Sequence, residues 1–200
     1  MVSEATGIAV SPAGTPEAPT PSAPTPAGPL RKDAGKLRSP ALSMDKPAPT
    51  IKGRKVAVLV GDGVDTGEVE AMLESLSAAE LVPETIGPRA GTVAASGGPM
   101  KVNRAAPNAP SVVYDAVLVP SGVGPALAAQ TLAQRFVHEA WRHGKPIAVA
   151  PDAEALLEAA GAPASDDGVT VAEAAILSDR LLANLPRHRF PRRVSVLRPA

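Results

Sequence analysis

Lys55 to Gly61 reads Lys-Val-Ala-Val-Leu-Val-Gly, an apolar and mostly β-branched run with no alternation of polar side chains, closed by a glycine. A strand that is apolar on both faces must be covered on both faces, and a parallel sheet between two helical layers does this. The run therefore restricts the fold to the α/β class before any other segment is read. Asp62-Gly63-Val64-Asp65 then turns the chain. From Thr66 the spacing of Val69, Met72, Leu73 and Leu76 is helical, with Thr66 the expected N-cap and Glu68 and Glu70 in the first turn, where the helix dipole favours carboxylates. Strand, tight loop and helix open a βαβ unit.

The alternation continues. Leu81 to Ile86 predicts a second strand, and Gly91 to Val102, interrupted by Gly97-Gly98-Pro99, predicts a short hairpin at an edge. Val112 to Val119 predicts a third strand, ending at Pro120-Ser121-Gly122-Val123-Gly124. Leu132, Phe136, Val137, Ala140 and Trp141 form the buried stripe of a helix stopped by Gly144. Pro146 to Ala150 is the fourth strand, Ala153 to Ala160 a helix closed by Gly161, Val169 to Val171 a last strand, and Glu173 to Asn184 a final helix. Pro186-Arg187-His188-Arg189-Phe190-Pro191 breaks regular structure. Strands alternating with helices predict a doubly wound, mostly parallel sheet.

Residues 1–50 are of a different kind. They hold ten of the 23 prolines and no aromatic residue, with Ala, Thr, Ser and Gly between them. Such a segment cannot bury enough apolar surface to offset its ordering entropy, so it is expected to be a disordered Pro/Ala-rich arm or linker, with a rigid spacer as the alternative. Residues 51–200 are then the single folded domain. Lysine plus arginine equal aspartate plus glutamate at 20 each, so no overall field draws the chain to nucleic acid or an anionic membrane. The scarcity of aromatic residues argues against base stacking. With no cysteine, disulfides, thiolate metal sites and cysteine catalysis are excluded together. The first residues show no basic segment followed by an apolar stretch, and no apolar run approaches the ~18 residues of a membrane helix, so a cytoplasmic, soluble protein is expected.

Chemistry is sought where strands end. Lys145 to Gly161 reads as a buried strand running through a tight turn into a helix, and the turn carries Pro151 and Asp152. This elbow is the geometry by which α/β hydrolytic folds expose a nucleophile beside oxyanion-holding amides. Proline has no nucleophile and supplies no N–H. Asp62 and Asp65, at the carboxyl end of the first strand, have the chemistry to bind a cation or serve as acid and base, and equally suit a tight turn and a helix cap. Gly61-x-Gly63-x-x-x-Gly67 misses the dinucleotide fingerprint, with Thr66 where the third glycine belongs. Ser121 and Gly122 could offer backbone donors to an anion, without a histidine or lysine at a telling spacing to activate the hydroxyl. His138 and His143 are five apart and miss the i, i+4 spacing of a helical metal pair. Arg187, Arg189, Arg192, Arg193 and Arg198 read as a solvated basic tail.

Several segments, in order, carry a resemblance: Ser39-Pro-Ala-Leu-Ser-Met44, Ile51 to Val60 with Asp62-Gly63-Val64-Asp65, Pro88 to Val93, Ser111 to Gly122, Phe136 to His143, and more loosely Arg187-His188-Arg189. From about Ser39 to Arg192 the chain resembles the carboxy-terminal domain of large-subunit haem catalases, a flavodoxin-like unit of the class I glutamine amidotransferase-like superfamily that includes the PfpI-type proteases. In that superfamily an acid after the first strand tunes a cysteine at the elbow, followed by a histidine. The resemblance carries these roles onto Asp65, Pro151 and Asp152, with Ser121 and Gly122 beside them, a degenerate site with no catalytic residue. It implies a non-catalytic accessory and assembly domain in a setting of hydrogen peroxide detoxification, without the haem half of those enzymes. No cofactor is expected on this chain; Tyr114 matches the accessory domain and is not a haem ligand. The implied partners are further copies of the chain or a catalase-like protein. The alternative is a small-molecule-binding, hydrolase or chaperone-like member of the PfpI-type group using Asp65, Ser121 and Asp152.

Overall fold

The computed structural model describes residues 50–195. The expected arm and Arg198 thus lie outside the described residues, apart from Thr50. Eight strands and six α-helices follow one another: β1 (Lys55–Leu59), α1 (Thr66–Ala78), β2 (Val82–Gly87), β3 (Gly91–Val93), β4 (Met100–Val102), β5 (Arg104–Ala105), β6 (Ala116–Val119), α2 (Gly124–Ala128), α3 (Thr131–Arg142), β7 (Ile147–Val149), α4 (Glu154–Ala159), β8 (Val169–Val171), α5 (Ala174–Asn184) and α6 (Arg192–Ser195).

Six strands form one parallel sheet in the order β5-β2-β1-β6-β7-β8. Without the two-residue edge strand β5, the order is 2-1-3-4-5, the flavodoxin-like doubly wound pattern, whose switch point lies between β1 and β6. Helices α1 and α5 pack together in one layer, and α2, α3 and α4 in the other. The layers follow from right-handed crossovers that run one way from β1 and the other way from β6. The apolar run behaves as its composition requires: Val56, Ala57, Val58 and Val60 are wholly buried, as are the four residues of β6 and the three of β7.

Four local expectations are corrected. The third strand starts at Ala116; Ser111–Val113 forms a 3-10 turn behind Pro110 instead, and Val112 and Val113 face solvent. Leu132 is likewise exposed, the buried stripe of α3 being Ala133, Phe136, Val137, Ala140 and Trp141. The cap of α1 is Asp65 and not Thr66: its carboxylate accepts from the Glu68 amide at 2.8 Å. The expected hairpin forms as β3–β4, but as a separate antiparallel sheet and not at an edge of the main one; it lies over the β1–α1 loop, where Gly63 N donates to Ala94 O and Ser96 N to Val64 O.

The basic tail is solvated only in part: Arg187 and Arg192 are exposed, but Arg189 is half-buried and Arg193 buried. Phe190 is wholly buried, Arg193 is 3% exposed, and the guanidinium groups of Arg187 and Arg193 lie 4.5 and 5.1 Å from the Phe190 ring centre. Phe190 N donates to Gly144 O, and Arg193 donates to the carbonyls of Lys145 (3.0 Å) and Asp167 (2.5 Å). The arginines supply donors to carbonyls at the N-terminal rim of the sheet, which is also where helix C-termini present negative partial charge.

Candidate functional site

Three loops leave the carboxyl ends of β1, β6 and β7 and converge at the switch point, where open α/β sheets place their ligands. They meet in direct contact. Gly63 and Gly122 both have positive φ, at 101° and 81°, and a Cβ on Gly122 would lie 2.6 Å from the Gly63 carbonyl oxygen. A Cβ on Gly124 would overlap the backbone of Asp152 and Ala153. The glycines of these loops therefore serve close backbone packing, and the crevice is shut.

Asp152 occupies a small nest at this junction. Its Oδ2 accepts from Gly122 N at 2.9 Å and from Gly124 N at 3.4 Å, so two amides that could hold an external anion hold this carboxylate. Pro151 begins a 3-10 turn, Pro151–Ala153, between β7 and α4, and Ala150 before it is extended. Among the described residues the non-glycine positions with positive φ are Glu80 and His188. The turn at Pro151 is thus relaxed, without the strained backbone that lifts a nucleophile from an elbow.

Asp65 faces away from this nest. Besides capping α1 it accepts from Ser96 Oγ at 2.7 Å, and these two hydrogen bonds, the amide first, hold its carboxyl below the ordinary range. Asp62 accepts from Ala94 N at 2.8 Å. Both carboxylates are thus engaged in fastening the hairpin to the β1–α1 loop. The structure brings Ser121, Gly122 and Asp152 together and leaves Asp65 on the hairpin side.

Glu68 is the residue sequence reasoning passed over. Asp65-Thr-Gly-Glu68 has the spacing of a capping box, in which the glutamate returns to the cap residue's own amide. Asp65 plays its half. Glu68 instead reaches across the switch point and accepts from Ser121 N at 3.0 Å and from the Ser121 hydroxyl. The hydroxyl is oriented toward a carboxylate, but the neighbouring amides of Gly122 and Gly124 are taken by Asp152. The Gly122 and Gly124 amides are therefore not available to an oxyanion formed beside Ser121.

The remaining candidates have structural partners. Tyr114 is 1% exposed and donates from its hydroxyl to Glu84 at 2.7 Å; burial first, then that hydrogen bond, raises its pKa strongly. A phenol held protonated in the core does not fit as an axial ligand to haem iron. Glu84 also accepts from Lys55 Nζ (3.1 Å) and Arg104 Nε (2.8 Å); burial would raise its pKa, but the Tyr114 hydroxyl first, then Lys55 and Arg104, lower it on balance. His138 Nδ1 lies 2.9 Å from Ala160 O at the end of α4, and His143 caps α3, 3.5 Å from Glu139. The two imidazoles serve different helix ends. Among the described residues no helix is long and apolar enough to cross a membrane.

The comparisons with known proteins agree with this architecture. The family model for the C-terminal domain found in long catalases matches residues 52–195. Catalase HPII of Pseudomonas putida is 41% identical over 113 residues, covering 54% of this chain and 16% of that protein. Catalase HPII of Pseudomonas aeruginosa is 34% identical over 156 residues, 76% of this chain and 22% of the relative, and that of Mycobacterium avium is 38% identical over 128 residues, 62% and 18%. The chain thus spans about a fifth of the length of these curated relatives. With the family match running from β1 into α6, the chain belongs to the family of C-terminal domains of long catalases.

Proposed function

We propose that this chain is a non-catalytic accessory domain whose task is packing and assembly, in the hydrogen peroxide detoxification setting of its catalase relatives. The observation that carries this reading is the occupied nest: Asp152 fills the pair of amides at the switch point, next to a proline where PfpI-type relatives would carry a nucleophile. On this reading Asp65, Ser121, Gly122, Pro151 and Asp152 are the remnant of a superfamily site, and the domain is a flavodoxin-like pseudoenzyme. Residues 51–200 form the folding unit, residues 1–50 act as a linker, and the protein works in the cytoplasm with copies of itself or a catalase-like partner.

Haem titration of the full chain, followed by peroxide consumption, tests the inert reading. The expected result is no stoichiometric rise in Soret absorbance and no peroxide loss beyond that of free haem. A saturable Soret band with turnover overturns it. A second reading, a small-molecule binder or hydrolase of the PfpI-type group, draws on the hydroxyl of Ser121 held against Glu68; it requires ligand-induced thermal stabilisation that disappears when Asp65 and Asp152 are replaced together.

A further inference from the structure

Among the described residues five large apolar side chains are exposed, and three of them share one flank: Val112 at 67%, Val113 at 49% and Leu132 at 45%. The apolar pattern of the sequence would bury all three. Large apolar groups left in water where the local pattern demands burial mark a surface that is covered by something else. Val112 and Leu132 border a groove of about 350 Å³ between the segment preceding β6 and the outer face of α3, with Pro107, Pro110 and Phe136 in its wall, and Val113 is next to Val112 on the same 3-10 turn.

The charges on α3 say what covers it. Its outward stripe is Leu132, Arg135, Glu139 and Arg142, spaced three to four residues apart. Arg135 and Arg142 are exposed and have no ion-pair partner among the described residues, and Glu139 has only the partly exposed His143 at 3.5 Å, a pair worth little in water. Two such helices laid antiparallel about a twofold axis near residue 137 bring Arg135 of each copy opposite Glu139 of the other. The same operation sets Leu132 against the alkyl stem of Arg142. A twofold interface must be self-complementary, and this stripe is.

We propose that this flank is a homodimer interface, with the partner a second copy of this chain packed α3 against α3. The groove then lies in the interface, and Val112, Val113 and Leu132 are covered by the partner copy. The inference rests on the assembly reading and names its surface, but the two fail separately: a monomeric chain that ignores haem sinks this interface and leaves the inert-domain reading standing.

Sedimentation of the full chain over a hundredfold concentration range is the test. The wild type is expected to approach twice its 20.2 kDa mass, and Arg135→Glu and Glu139→Arg each to remain monomeric with unchanged circular dichroism. Mixing the two variants restores both cross-pairs, so a heterodimer is expected. The double variant, Arg135→Glu with Glu139→Arg, keeps complementary charges and is expected to dimerise, which keeps the test decisive if a single variant folds poorly. A monomeric wild type, association only with an added catalase, or single variants that dimerise like the wild type would each overturn the proposal.

Discussion

Gly122 combines a positive φ with a close backbone contact at the switch point. Its φ of 81° lies where side chains are strained, and an added methyl would meet the Gly63 carbonyl at 2.6 Å. Backbone on both sides of the contact leaves no flexible side chain to yield. Gly122→Ala is therefore expected to lower stability by about 1–3 kcal/mol or more, read from the midpoint of urea denaturation. A shift within error would mean that the loops separate easily and that the crevice is not shut in solution. At this scale the sequence displays glycines and aspartates at the strand ends, and hence turns. It does not display that Glu68 reaches Ser121 or that Asp152 fills the nest, because those partners stand 53 and 30 residues away.

The elements show how a basic run becomes a structural clasp. The segment from Leu185 to Arg193 lies beneath the sheet, seats Phe190 against Gly144 and Gly168, and donates from Arg193 to the carbonyl of Lys145. Lys145 is itself 2% exposed and donates to Ser111 O at 2.5 Å. Burial, then the nearby Arg189, pushes its pKa down to about 8, with Asp115 and Glu139 opposing. A base depressed in the fold binds fewer protons folded than unfolded, so its penalty is complete below about pH 8 and fades as pH rises toward the ordinary lysine value near 10.5. Wild-type stability minus that of Lys145→Met is thus expected to rise between pH 8 and 10.5. Parallel stability curves over that window would show that the amine is not buried as described. Lys145 also bears on why Val112–Val113 leaves the strand pattern. Pro110 opens a 3-10 turn and Ser111 O is claimed by Lys145, so hydrogen bonds to a distant lysine override a local preference for strand.

For the whole molecule, the central strands of one parallel sheet are covered on both sides by α1 with α5 and by α2, α3 and α4. Residues 51–200 alone are expected to unfold in one cooperative transition within about 2 °C of the full chain, by calorimetry, since they hold the whole of the described core. A large loss of stability on removing residues 1–50 would make the arm part of the fold and move the domain boundary. The α/β class, the sheet between helical layers and the positions of β1, β2, β7 and β8 to within a residue or two were legible in the chain itself, because apolar runs and helical periodicity are local. So was the absence of a nucleophile at position 151, which is a matter of covalent identity. What tertiary structure alone decided is which polar groups meet: Asp152 in the nest, Asp65 on the hairpin, Arg193 under the sheet, and the flank of α3 left bare. Those pairings join residues far apart in sequence, and the energy that selects them appears only when the loops are brought together by the sheet.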